Sequence, residues 1–223
     1  MQTKQSWLSR HITLHNQATR QDEWENFITH FIGFIAATVF LFIVLIQRNR
    51  YDGESTWIGM IIYWLSLVLL YLSSSIYHIA PKGDLKRLMR ICDHANIYLL
   101  IAGTYTPILL YIGTSITVRI VIFMWLVALF GILFSILFWG RLPVVHVALY
   151  LIMGWMIIFF WQHIVPFIPR GLLVWVIAAG VTYTSGVVFY ANKRLPHNHM
   201  IWHLFCIGAS ALFCIGFFLH LTI

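Results

Sequence analysis

Two histidines, His199 and His203, stand four residues apart at the start of the last apolar stretch of the chain. On a helix that spacing puts both on one face with Cβ atoms ~5–6 Å apart, close enough to serve a single ion. Paired imidazoles of this kind form half of a zinc site. Alone the pair is a weak signal, since histidines four apart also arise by chance. Its weight depends on where the chain places its other polar side chains, and so on the elements that carry them.

Those elements are set by composition. The 223 residues are 61% hydrophobic and 9% charged, where a soluble domain carries about a quarter charged residues. An all-α, polytopic membrane protein is expected, with no room for a separate soluble domain. A span needs ~20 mostly apolar residues, and seven stretches qualify: roughly 27–46, 57–78, 92–112, 118–139, 143–162, 171–190 and 198–220. Trp57, Trp139 and Trp161 fall at span ends, where amphipathic rings favour the interface. The chain thus divides into a cytoplasmic amino-terminal segment, 1–26, and a seven-helix transmembrane domain, 27–220. The polar first segment has no signal-peptide pattern. Cys92, Cys206 and Cys214 lie in or beside apolar stretches, which argues against a disulfide framework.

Lysine and arginine orient the bundle. Ten of them (Lys4, Arg10, Arg20, Lys82, Lys86, Arg87, Arg90, Arg141, Lys193 and Arg194) fall on the amino-terminal side, against Arg48, Arg50, Arg119 and Arg170 opposite. The bias places the amino terminus in the cytoplasm and the carboxyl terminus outside. It also explains the net charge of +7 without a nucleic-acid partner. Rhodopsin-type receptors mostly run the other way, and the last span has no lysine for a retinal Schiff base.

With directions alternating, span two ends at Ser74 to His78, span three begins with Asp93 and His94, and span seven begins with His199 and His203. All lie at one membrane level, with His30 of span one about a turn inside the same boundary. Such groups in apolar helices are costly unless they face partners or an ion. One reading makes His78, His199 and His203 the three nitrogen ligands of a metal, with water in the fourth position, the usual form of catalytic zinc. Asp93 would accept a hydrogen bond from that water and shuttle its proton, and Ser74, four residues before His78, would add another. The bland readings stand beside it. Asp93 could simply pair with Arg90 or Arg87. His94, about 100° round the helix from Asp93, is expected to bond another helix. His30 is open between supporting the site and a helix contact. Cys206, three after His203, could replace a ligand but reads better as a buried thiol. His146, His163 and His220 carry no assigned role.

Four segments together carry a resemblance: EWENFITHFIG from Glu23, SSSIYHIAP from Ser73, CDHANIYLLIAGTYTP from Cys92 and YANKRLPHNHMIWHLF from Tyr190. From about residue 23 onward the chain resembles the haemolysin III branch of the progestin and adipoQ receptor family, seven-helix proteins related to adiponectin receptors and alkaline ceramidases. The resemblance implies zinc on His78, His199 and His203, Asp93 and Ser74 around the bound water, and an amino terminus inside the cell. It departs at Phe213, ten residues after His203, where family members often have histidine.

The expectation is a zinc-dependent intramembrane hydrolase of amide- or ester-linked lipids, or a lipid-responsive regulator of membrane homeostasis, in the bacterial inner (plasma) membrane. Its partners are membrane lipids. One rival is a non-enzymatic protein with a structural zinc. A second is a homo-oligomeric pore, which sparse intramembrane charge disfavours. Bis-histidine haem ligation needs ligands on opposite sides of a plane, whereas His199 and His203 share a face.

Overall fold

The computed structural model describes residues 6–14 and 18–223, so Lys4 lies outside the described residues. Among the described residues every regular element is a helix; the lone β-bridge joins Tyr51 to Thr222. A short helix α1 (Trp7–His11) precedes α2 (Arg20–Ile46), α3 (Glu54–Ile79), α4 (Asp84–Ile112), α5 (Ser115–Leu137), α6 (Pro143–Gly154), α7 (Trp161–Ile164), α8 (Arg170–Ala191) and α9 (Asn198–His220). Six of these, α2 to α5, α8 and α9, are long and apolar enough to cross a membrane. The chain is an all-α polytopic membrane protein.

Helix boundaries depart from the apolar stretches where polar residues do local work. Helix α2 begins at Arg20, seven residues ahead of the expected span, because Thr19 and Asp22 form a reciprocal capping box. Helix α4 begins at Asp84 rather than near residue 92. Its first turns carry Lys86, whose Nζ donates to the carbonyls of Tyr77 (2.7 Å) and His78 (3.1 Å) at the end of α3. A cation there satisfies carbonyls that have no partner within the helix and complements the negative end of its dipole. Two further cations of α4 hold the amino-terminal segment. Arg87 Nε donates to the Ile12 carbonyl and Arg90 Nη1 to that of Thr13, and Ile12 is buried.

The fifth expected span, 143–162, is not one helix. It breaks into α6, a 3₁₀ turn at Met156–Ile158 and the start of α7, and a second 3₁₀ turn at Val165–Phe167 follows beyond it. The break has a partner in α4: Tyr105 Oη donates to the Gly154 carbonyl (2.8 Å) and accepts from the Ile157 N–H (2.9 Å). A side chain inserted into the backbone ladder is a recognised cause of helix interruption. It also supplies the partners that exposed backbone would lack in a membrane.

Helices α3 and α4 are the most enclosed, and the exteriors of α2, α5 and α8 carry exposed apolar side chains such as Phe42, Phe130 and Val188. Helix α3 packs between α2 and α4, α5 lies against α4, and α9 lies between α2 and α8. The α3–α4 contact relies on small residues: a Cβ on Gly59 would sit 2.6 Å from Pro107 Cα. Close backbone approach of this kind is how helices associate in lipid, where apolar burial gives little drive.

Candidate metal centre

The amino-terminal ends of α2, α4 and α9 and the carboxyl-terminal end of α3 meet at one end of the bundle. His199 and His203 come from the first turns of α9 and His78 from the last turn of α3. The His199 and His203 rings stand 4.6 Å apart between centroids and nearly perpendicular. His78 lies 5.0 Å from His199 and 5.2 Å from His203. One ring nitrogen from each lies within 4.8 Å of the others, a set that could hold one metal ion.

Neighbouring groups fix which nitrogens face inward. His78 Nδ1 is 2.9 Å from Glu23 Oε2; beside a carboxylate that nitrogen carries the proton, leaving the Nε2 lone pair free. His78 Nε2 is buried with no hydrogen-bond partner. His203 Nδ1 faces the Asn26 carbonyl (3.2 Å) and the Thr29 hydroxyl (3.0 Å), so its Nε2 is likewise the unprotonated nitrogen. A ligating histidine that donates its second N–H to a carboxylate or carbonyl is the usual supporting arrangement for a metal. Glu23 Oε2 is in turn 3.3 Å from Lys86 Nζ. The residues fit a metal on this ground: a buried imidazole nitrogen without a partner costs about 1–3 kcal/mol unless a ligand meets it.

Ser74 sits one turn before His78, fully buried, its Oγ without a partner. Asp93 is not in the metal-ligating set; it lies more than two turns into α4 and lines, with His199, a cavity of about 340 Å³. Ile97, Ile101, Tyr150, Tyr183 and Trp202 form much of the cavity wall. His94 departs from expectation. Its Nδ1 bonds the Arg90 carbonyl of its own helix at 3.0 Å and lies 3.7 Å from Asp93 Oδ2. The 100° offset was too coarse a guide, because the imidazole reaches back along α4. Arg87 pairs with Asp84 at 3.3 Å. His30 is stacked on His203 at 3.4 Å and 12°, both its nitrogens buried without partners. Cys206 is a buried free thiol on the cavity wall.

Glu23, Asn26, Thr29 and Lys86 escaped the sequence reading. The Thr19–Asp22 capping pattern was the available sign that α2 begins early enough to bring the first three in. The same extension brings Asp22 and Glu25 to His197, whose Nδ1 lies 2.6 Å from Glu25 Oε2 and 3.6 Å from Asp22 Oδ1 at the exposed rim.

A family model described as haemolysin-III related matches residues 18–214. Hemolysin-3 of Bacillus cereus is 36% identical over 206 residues, covering 89% of this chain and 92% of its own. The hemolysin-3 homolog of Bacillus subtilis (strain 168) is 34% identical over 203 residues, covering 90% and 95%. The human monocyte to macrophage differentiation factor is 31% identical over 160 residues, 68% of this chain and 65% of its own.

Proposed function

We propose, because the chain belongs to the haemolysin-III-related family and brings ring nitrogens of three histidines from two helices within 4.8 Å of one another, that it is a zinc-dependent intramembrane hydrolase of amide- or ester-linked lipids. The observation that carries the reading is the three-histidine set opening, through His199, onto an apolar cavity that Asp93 also lines. Three ligands plus an open position is the catalytic form of a zinc site.

A bound zinc would be held by His78, His199 and His203, polarise the scissile carbonyl and bring the pKa of its water from ~15.7 toward ~7. The chain's own groups do the rest. Glu23, Asn26 and Thr29 hold two of the imidazoles in the tautomer that points a lone pair inward. Ser74 Oγ, without a partner and one turn from His78, offers a hydrogen bond to whatever polar group occupies the centre. Asp93 takes the proton of the attacking water and delivers it to the leaving amine or alcohol. The apolar walls exclude bulk water and accept the lipid tail.

In the plasma membrane the basic end of the bundle faces the cytoplasm. That puts the amino terminus and the histidines inside, the carboxyl terminus outside, and makes the broken segment 143–162 the fifth of seven crossings.

The test is direct. Purified protein should carry about one zinc per chain, reduced in His199→Ala, and should release fatty acid from a ceramide or phospholipid in a zinc-dependent way. Absence of metal-dependent release from every lipid class ends the hydrolase reading. A structural zinc is the second reading, favoured by the site joining α3 to α9 with α2 behind them. Asp93→Asn separates the two: zinc content stays and turnover disappears in a hydrolase, whereas a structural zinc leaves nothing for the substitution to abolish.

A further inference from the structure

The cavity has a polar end and an inert end. Its lining includes His199 and Asp93 at one end of α9 and in the first turns of α4, and Phe213 and Tyr105 several turns farther along the same two helices. Its length follows from helix rise. From His199 to Phe213 is fourteen residues of α9, about 21 Å at 1.5 Å per residue. From Asp93 to Tyr105 on α4 is about 18 Å by the same measure. One leaflet of a ~30 Å hydrocarbon core is about 15 Å deep, so the cavity is as long as a lipid tail.

Deep in the cavity the polar side chains are already paired. Thr104 Oγ1 donates to Leu100 O, Tyr105 Oη to Gly154 O and Thr184 Oγ1 to Gly180 O. Trp155 Nε1 donates to Thr184 Oγ1, and Tyr183 Oη bonds Ser210 Oγ. A ligand reaching this depth meets no hydrogen-bonding group in need of a partner, so its matching part is hydrocarbon. Two lining residues stand at that depth, Phe213, half-buried on α9, and Gly154 at the end of α6. Gly154 leaves open space: a Cβ built there meets no atom within 4 Å.

We infer that Phe213 and Gly154 form the stop of an acyl-chain ruler, which sets the length of the single unbranched tail the protein accepts. This rests on the lipid reading given above and adds to it a length preference and the residues that set it. Each methylene that still meets apolar wall should raise affinity about fourfold, and methylenes beyond the stop should add nothing.

The experiment measures saturable binding of radiolabelled laurate, myristate, palmitate, stearate and arachidate to the full-length, zinc-loaded protein in nanodiscs. Wild type, Phe213→Ala and Gly154→Leu are compared. Wild-type affinity should climb with length and then level off. Phe213→Ala should move the plateau to longer chains and Gly154→Leu to shorter ones, each losing or gaining at least tenfold on the chain at the boundary. Phe213→Leu, which keeps apolar bulk, serves if the alanine variant fails to fold and should shift the plateau in the same direction by less. Binding with the same plateau in all folded variants overturns the ruler and leaves the lipid reading standing. Absence of saturable binding by any chain length in wild type overturns both.

Discussion

Glu23 is the most informative residue to perturb, because it supports the histidine centre without belonging to the ligand set. Its Oε2 accepts a hydrogen bond from His78 Nδ1 at 2.9 Å and lies 3.3 Å from Lys86 Nζ. Glu23→Gln keeps an oxygen that can accept from Nδ1 but removes its charge. A hydrogen bond to a charged group is worth about 1.5–3 kcal/mol and a neutral one about 0.5–1.5, so the loss is about 1–1.5 kcal/mol, or about tenfold in zinc affinity. Glu23→Ala leaves Nδ1 without an acceptor and frees the ring to turn, and about a hundredfold is expected, the upper end for such supporting groups. Competition of the purified protein against a chromophoric chelator measures both. Lys86 complicates stability but not this readout, since its ammonium keeps the carbonyls of Tyr77 and His78. Melting curves of zinc-free protein track that separate effect. If both variants bind zinc within twofold of wild type while remaining folded, Glu23 does not orient His78 for a metal and the tautomer argument fails.

Three further outcomes follow from the same contacts. Asp93→Asn should retain zinc within about threefold and lower lipid hydrolysis by at least the 10²–10⁴ typical of general acid–base groups, read as fatty-acid release per zinc. Tyr105→Phe removes the partner of both the Gly154 carbonyl and the Ile157 N–H; the buried Ile157 N–H left unpaired costs about 1–3 kcal/mol, visible as a lower thermal midpoint, and an unchanged midpoint would show the break needs no hydroxyl. Gly59→Ala forces a methyl to 2.6 Å from Pro107 Cα and should destabilise the α3–α4 contact by about 1–3 kcal/mol, measured by denaturation in mild detergent.

What the sequence made legible was local period and which helix ends meet. Six spans followed from apolar runs, and the meeting of His78 with His199 and His203 followed from alternating direction alone. All the misses but one share a cause, a dependence on partners distant along the chain. Segment 143–162 is apolar enough to read as one span, and Tyr105 on α4 shows why it breaks. Hydropathy cut α2 at residue 27 and so put Glu23 outside the bundle, although its carboxylate reaches His78 on α3. Lys86, Arg87 and Arg90 lowered the hydropathy of the start of α4 and made it read as a loop. There they bond the end of α3 and the amino-terminal segment. His94 fails in the opposite sense, bonding its own helix where a distant partner was expected.

The hydroxyl of Tyr105 has a consequence for how the chain is made. Backbone groups in hydrocarbon must be paired at every stage of insertion, and the interrupted form of 143–167 is paired only when α4 already stands beside it. If the segment is the fifth crossing proposed above, its expected route is to enter the bilayer as helix and to be opened by docking against α4. A peptide of residues 143–164, which stops short of Pro166, should be helical in lipid, and the folded protein should acquire the interruption, and with it the far wall of the cavity, as a late event of its biogenesis.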